Sequence, residues 1–157
     1  MYDKNELGKT TPAVLNEVEK GAIRRFAESL GDYNPIYYDE KYAQSMGLRG
    51  IVAPPTFPFT FQLGADLRER LNVPAQSLLH AETQLEYERP IFAGDKLWVS
   101  SALVEFSEKR GPTGKFFLVV IEEEGRGEDG KRVYSIRNSY IIRGMKMGRQ
   151  SATQTLL

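Results

Sequence analysis

The chain contains no cysteine, and its only histidine is His80. The lack of cysteine excludes disulfides, thiolate nucleophiles and cysteine-based zinc sites. A single histidine argues against a histidine-based metal site, so we predict no metal ligands. An excess of either charge is also missing, because 21 Lys and Arg residues balance 21 Asp and Glu residues. This balance gives no indication of a nucleic-acid partner.

Long hydrophobic runs are missing as well, and none approaches the length needed to cross a bilayer. Residues 1–6 lack a basic segment followed by an apolar stretch, so we predict no signal peptide, no membrane partner and a cytoplasmic, soluble protein. The chain has 157 residues, of which 41% are hydrophobic and 27% charged. These values are typical of one globular domain. We predict that this domain spans residues 1–143, followed by a polar, flexible tail over 144–157.

Residues 23–30 carry one apolar face at helical spacing, which predicts a helix that ends at Gly31. The start of this helix has two interpretations. Asn16 and Glu19 would form a capping box if the helix began there. Alternatively, residues 14–19 form a short strand and the helix begins near Lys20. A second, short helix is predicted after Asp39, whose carboxylate suits an N-cap.

The second half of the chain changes its period. An apolar segment from Phe57 to Leu71 predicts a long buried helix, which Thr56 would cap. Apolar and polar residues then alternate, as expected for strands. The predicted strands form a four-stranded meander over residues 79–87, 97–106, 116–123 and 133–142. A buried helix against an antiparallel sheet is an α+β arrangement.

The segment with the most chemical information is residues 31–39, Gly-Asp-Tyr-Asn-Pro-Ile-Tyr-Tyr-Asp. It places the carboxylate of Asp32, the amide of Asn34 and the phenol of Tyr37 around one rigid proline. These three residues are therefore candidates for a functional site. Two structural alternatives remain at this point: Asp32 would cap a backbone turn, as Asp after Gly commonly does, and Tyr37 would only pack the loop.

This loop resembles the active-site loop of the MaoC-like hydratases and dehydratases, which reads Asp-x-Asn-Pro-x-His. Further similarities lie in residues 51–57, in Leu79-His80-Ala81-Glu82, and in Arg89-Pro90 with Gly94-Asp95. Together they cover roughly residues 17–143 and look like the FAS1-like, or N-terminal MaoC-like, dehydratase branch. The resemblance implies a single hot-dog fold, in which a curled antiparallel sheet wraps a long central helix. It also implies dimers whose ligand tunnels lie at the subunit interface.

In that family the Asp and His of the loop add or remove water across an enoyl thioester. Here Tyr37 occupies the histidine position, and the resemblance implies that Asp32, Asn34 and Tyr37 form the catalytic group. A free phenol has a pKa of about 10 and an imidazole one of about 6.5, a difference equivalent to about 5 kcal/mol of proton-transfer free energy. Tyr37 is therefore expected to donate hydrogen bonds well and to shuttle protons poorly.

The resemblance implies a protein of (3R)-hydroxyacyl-CoA or acyl-carrier-protein (ACP) dehydration in fatty acid metabolism. We expect an acyl-thioester-binding subunit of a dimeric hydro-lyase, with weak or no catalysis alone. The ligand is acyl-CoA or acyl-ACP and no separate cofactor is expected. Candidate substrate-binding residues are Pro55, Thr56 and His80. The partner is a second copy or a hot-dog subunit that carries the Asp–His pair. One alternative is an active homodimeric hydro-lyase. A hot-dog thioesterase fits less well, because the loop around Asp32 looks like the hydratase motif.

Overall fold

The structure is a computed structural model that describes residues 7–65, 77–112 and 114–143. Its elements in chain order are β1 (Val14–Glu17), α1 (Lys20–Leu30), α2 (Glu40–Ser45), β2 (Leu78–Tyr87), β3 (Lys96–Gly111), β4 (Gly114–Arg126) and β5 (Arg132–Ile142). Two short 3-10 helices cover Pro35–Tyr37 and Phe57–Thr60. In this described part of the chain, no helix is long and apolar enough to cross a membrane. The predicted tail, residues 144–157, lies outside the described residues.

All five strands form one antiparallel sheet in the order β1-β3-β4-β5-β2. The predicted meander is correct for β3, β4 and β5, which follow one another as hairpins. It is wrong for β2, which pairs with β5 and not with β3. The reason is that β1 already occupies the other edge of β3, where Val14 lies opposite Val99. Strand β1 therefore occupies the place beside β3 that the meander predicted for β2.

Helix α1 lies on the sheet and supplies one side of the core. Ile23 and Ala27, four residues apart, are fully buried and join a cluster with the sheet residues Leu97 and Val99. Complete burial of a side chain such as Ile23 contributes about 1.5 to 3 kcal/mol. Gly31 ends the helix in the left-handed conformation, with φ 68°, as predicted. The α+β arrangement of a helix against a curled sheet is thus confirmed.

The open question about the start of α1 is also answered. Residues Val14–Glu17 form a strand and the helix begins at Lys20. Asn16 does not cap the helix, because its side-chain amide makes two hydrogen bonds with the backbone of Gln62. Its Nδ2 donates to the Gln62 carbonyl at 3.1 Å, and its Oδ1 accepts from the Gln62 amide at 2.8 Å.

The same contact corrects the prediction of a long helix over Phe57–Leu71. Within the described residues 57–65, only Phe57–Thr60 is helical, as a single 3-10 turn, and Phe61 is extended. Asn16 engages the backbone of Gln62, and the backbone of Gly64 lies so close to the Pro12 carbonyl that an added Cβ would be 2.3 Å from that oxygen. These contacts hold residues 61–65 along β1 in a non-helical conformation. The remainder of the predicted helix, residues 66–71, lies outside the described residues.

A chain of aromatic rings connects α1 to the far strands of the sheet. It runs through five residues in sequential contact, with ring centroids 5.5 to 6.2 Å apart: Phe26, Phe57, Phe61, Tyr134 and Tyr87. Tyr134 is fully buried and lies across Gly125, where an added Cβ would be 2.1 Å from the ring. Only a glycine fits below this ring without a shift in the backbone.

One buried carboxylate, that of Asp95, joins separated parts of the chain. Asp95 is 8% exposed and accepts hydrogen bonds from Arg49, from Arg89 at 2.7 Å and from the Phe92 amide at 3.0 Å. Its own carbonyl accepts from the Val18 amide at 2.8 Å. The burial of this carboxyl acts to raise its pKa, but the hydrogen bonds from the arginines and the amide outweigh burial and lower the pKa below its usual value.

We expect Asp95→Asn to destabilise the protein at pH 7 by about 2 to 3 kcal/mol, somewhat less than for a fully buried ion pair because both arginines reach solvent. The lowered pKa means that this stability is present above about pH 3.9, the unfolded value, and is lost as the pH falls through the folded pKa. Urea unfolding at several pH values checks this, with exposed Asp129→Asn as the control. A wild-type advantage that grows between pH 5 and pH 3 would contradict it.

Candidate functional site

The loop after α1 is a series of turns capped by its own side chains. Asp32 Oδ1 accepts a hydrogen bond from the Asn34 amide at 3.1 Å, and Asn34 Oδ1 accepts one from the Ile36 amide at 3.2 Å. The Tyr38 hydroxyl donates to the Asp32 carbonyl at 2.8 Å. The turn-capping role considered for Asp32 is therefore real. It uses one carboxylate oxygen, and Asp32 itself remains exposed.

Tyr37, in contrast, faces inward. It is 8% exposed and belongs to the same core cluster as Ile51 and Ala53. Burial, followed by the negative charge of Asp32, raises the pKa of Tyr37 above its usual value. The phenol thus stays protonated at neutral pH, and it is near enough to Asp32 to sense the charge of that carboxylate.

The backbone of residues 51–53 fixes this loop against the sheet. The Val52 amide donates to the Ile36 carbonyl at 3.4 Å, and the Ala53 amide donates to the Ile91 carbonyl at 2.8 Å. The loop is therefore attached to the turn that leads into β3. Since Asp95 binds within that same turn, the buried carboxylate and the candidate site belong to one connected unit.

Pro55 and Thr56 follow directly and are exposed. The Pro55 carbonyl accepts a hydrogen bond of 2.6 Å from the Tyr87 hydroxyl, whose pKa is raised by burial. Thr56 precedes the 3-10 turn Phe57–Thr60, and its side chain does not cap that turn. The N-terminus of a long helix, expected at Thr56, is therefore not found. The four-residue turn in its place presents few free N–H groups.

His80 lies away from this loop, on β2. Its Nε2 is 2.8 Å from the Thr83 hydroxyl, and its ring lies 5.4 Å from the ring of Tyr140 on β5. Thr83 in turn donates to Asn138 at 2.6 Å. Asp32 and Asn34 therefore share one hydrogen-bonded turn, and Tyr37 turns from the same loop into the core. His80 lies in a separate polar row across two strands.

A pocket of about 120 Å³ lies beside the loop but contains none of the predicted site residues. Its lining consists of Lys20, Glu40, Arg49, Gly50, Ile51, Phe92 and Ala93. Lys20 and Glu40 form an ion pair of 3.3 Å at this pocket. Within residues 7–65, 77–112 and 114–143, no group of three or more acidic, histidine or cysteine side chains is arranged to hold a metal ion.

Sequence reasoning missed one buried acid. Glu123 is 9% exposed and accepts a 2.7 Å hydrogen bond from the hydroxyl of fully buried Tyr134. Burial raises the pKa of Glu123 more than the hydrogen bond from Tyr134 lowers it. Glu123 is the central one of three consecutive glutamates, so the sequence pattern does not distinguish it from its neighbours. Only the strand register shows that it lies opposite buried Ser101.

The fold and the loop together define a hot-dog domain of the dehydratase type, and the sequence comparison agrees. Residues 6–136 match the family described as FAS1-like, dehydratase domain region. A UPF0336 protein of Streptomyces avermitilis is 30% identical over 151 residues, which cover 93% of this chain and 98% of that protein. The chain therefore belongs to the FAS1-like dehydratase domain family, within the MaoC-like hot-dog dehydratases.

Solved structures show the same fold. A MaoC-like dehydratase superposes with a TM-score of 0.75 and 26% identity, covering 87% of this chain and 42% of that one. This chain thus spans about two fifths of the length of that dehydratase. The HadBC (3R-hydroxyacyl-ACP dehydratase) complex of Mycobacterium tuberculosis superposes with a TM-score of 0.70 and 20% identity, covering 89% of this chain and 99% of that one.

The buried acid leads to a test of stability against pH. Because the folded pKa of Glu123 lies above its unfolded value of about 4.3, its favourable contribution is complete below that value and is lost as the pH rises through the folded pKa. We expect Glu123→Gln to gain stability relative to wild type between pH 4 and pH 8, as measured by urea unfolding. Exposed Glu128→Gln is the control, and a difference that does not change with pH would refute the expectation.

Proposed function

We propose that this chain is an acyl-thioester-binding subunit of a (3R)-hydroxyacyl-CoA or acyl-ACP dehydratase, with little or no turnover of its own. The observation that carries the proposal is the state of Tyr37. Its phenol is buried, and burial together with the charge of Asp32 raises its pKa. It stands where the family motif has the histidine that exchanges protons.

The reaction explains why this substitution matters. Hydration of an enoyl thioester requires a base for water, an acid for the α-carbon and hydrogen-bond donors for the carbonyl oxygen. Asp32 supplies an exposed carboxylate, which suits the base. A phenol with a raised pKa donates a hydrogen bond but neither releases nor recovers a proton readily near pH 7. Loss of one acid/base group usually costs about 10² to 10⁴ in rate.

The other predicted residues fit a binding role. Asn34 uses its Oδ1 on the Ile36 amide, which leaves its amide N–H groups to orient a water or a thioester oxygen. Pro55 and Thr56 follow residues 51–53, which bind the loop, and both are exposed, so they are available to contact an acyl thioester. We assign His80 to the sheet or to an interface, because its contacts are with Thr83 and Tyr140. The acyl thioester is the ligand, and no separate cofactor enters this proposal.

The partner in this proposal is a hot-dog chain that carries the complete Asp–His pair. Two of the similar structures support it. The MaoC-like dehydratase is more than twice as long as this chain, so it has room for a second domain of equal size. HadBC is described as a complex. An active homodimer is the second candidate, and the nearness of Tyr37 to Asp32 is the observation that favours it.

The test is an assay of crotonyl-CoA hydration by the purified chain, in which the reaction is monitored as the loss of enoyl thioester absorbance. We expect wild type to stay near the detection limit. Tyr37→His restores an imidazole with a pKa of about 6.5, so we expect it to raise the rate about 10²-fold or more. Asp32→Ala in that background should remove the gain, because the base is then absent.

Tyr33→His is the matched control, since Tyr33 lies in the same loop but is 72% exposed. It should leave the rate unchanged. Turnover by wild type that disappears in Asp32→Ala would establish the active homodimer instead. A folded Tyr37→His protein without activity would show that this loop is not the acid/base site.

A further inference from the structure

The pocket beside the loop lies at the starts of α1 and α2 and has an apolar base. In this base Ile51 is 2% exposed and Phe92 is 8% exposed. Two backbone pairings hold the base together, because the Ala93 amide donates to the Ile51 carbonyl at 2.9 Å and Val52 forms a bridge with Phe92. The pocket therefore has a fixed floor.

One arginine is held in a defined orientation above this floor. The Arg49 guanidinium lies over the Phe92 ring, 4.5 Å from its centroid, and donates a hydrogen bond to buried Asp95. These two contacts fix the plane of the guanidinium, although the side chain is 60% exposed. Among the described residues Arg49 makes no other side-chain hydrogen bond, so the N–H groups of Nε and Nη1 are available to a ligand.

The rim of the pocket carries one positive charge in excess. Lys20 and Glu40 form an ion pair of 3.3 Å, and their side chains are 58% and 54% exposed. An exposed pair of this kind contributes little to stability, so Lys20 is able to turn towards an anion. Arg49 adds a second cation. The charge of Asp95 below the rim is balanced by Arg89, which lies 2.7 Å from its other oxygen.

Charge and shape together select the class of ligand. One negative charge neutralises the excess at the rim, whereas the second charge of a phosphate dianion would be repelled by Glu40. The floor of Ile51 and Phe92 favours an apolar group beneath the anion. The pocket volume of about 120 Å³ is about four times the roughly 30 Å³ that a water molecule takes up in the liquid, which suits a ligand of about four to six non-hydrogen atoms.

We propose that this pocket is a binding site for a small monocarboxylate. The carboxylate accepts hydrogen bonds from Arg49 and Lys20, and the apolar part of the ligand lies on Ile51 and Phe92. None of the candidate catalytic residues lines this pocket. The site is thus separate from the acyl-thioester loop, and it does not depend on the proposed function.

Butyrate serves as the probe in a titration of the ¹⁵N-labelled chain, in which amide chemical shifts are measured at constant ionic strength. We expect saturable shifts centred on Gly50, Ile51 and Ala93, with a Kd of about 1 mM. Butyramide has nearly the same shape without the charge, so it should bind about tenfold more weakly. Inorganic phosphate should also bind more weakly than butyrate, because Glu40 repels its second charge.

Two substitutions test the named contacts. Lys20→Gln removes an exposed cation and should weaken butyrate binding about threefold. Arg49→Lys keeps a positive charge beside Asp95 but loses the planar guanidinium, so we expect about tenfold weaker binding. Lys41→Gln is the matched control, since it makes the same change in charge as Lys20→Gln at an exposed position outside the pocket. It should leave the Kd unchanged.

The proposal is overturned if the shifts grow linearly up to about 50 mM butyrate, or if they centre on residues outside this pocket. Equal binding of butyramide would also overturn it, because the rim charges would then have no role. Tighter binding of phosphate would make the pocket a phosphate site instead. An equal loss of affinity in Lys41→Gln and Lys20→Gln would show that only the overall charge matters. These outcomes concern the pocket alone, whereas the crotonyl-CoA assay decides the proposed function.

Discussion

The buried carboxylate of Asp95 is the constraint on which the arrangement of this protein depends. It joins Arg49, which follows α2, to Arg89, which follows β2, and to the Phe92 amide before β3. The backbone of the same residue binds Val18 at the entrance to α1. A single charged group thereby joins the helix, the sheet and the loop, and its burial is tolerated because both carboxylate oxygens accept hydrogen bonds.

The position of the candidate-site loop depends on this arrangement. Residues 51–53 bind both the turn at Ile91 and the loop at Ile36, so the loop is held against a rigid base. One side-chain oxygen of Asp32 and one of Asn34 accept hydrogen bonds from backbone amides of the loop, while Tyr37 packs in the core. The result is a preorganised set of hydrogen-bonding groups next to an apolar interior.

The two edges of the sheet have different consequences. One edge is covered by the chain's own N-terminal residues, whereas the other edge strand, β2, pairs with β5 alone among the described residues.

The sequence by itself determined α1, α2, the hairpins of β3, β4 and β5, and the identity of the loop, because helical spacing, glycine stops and strand alternation are local signals. Only the tertiary structure decided the rest. Asn16 binds Gln62 across 46 residues, and residues 61–65 are not helical where the sequence predicted a helix. Because β1 occupies the edge of β3, β2 pairs with β5, and the strand register buries Glu123 between two half-buried glutamates. Each of these outcomes depends on which distant residue competes for the same backbone or the same space, and no local pattern contains that information.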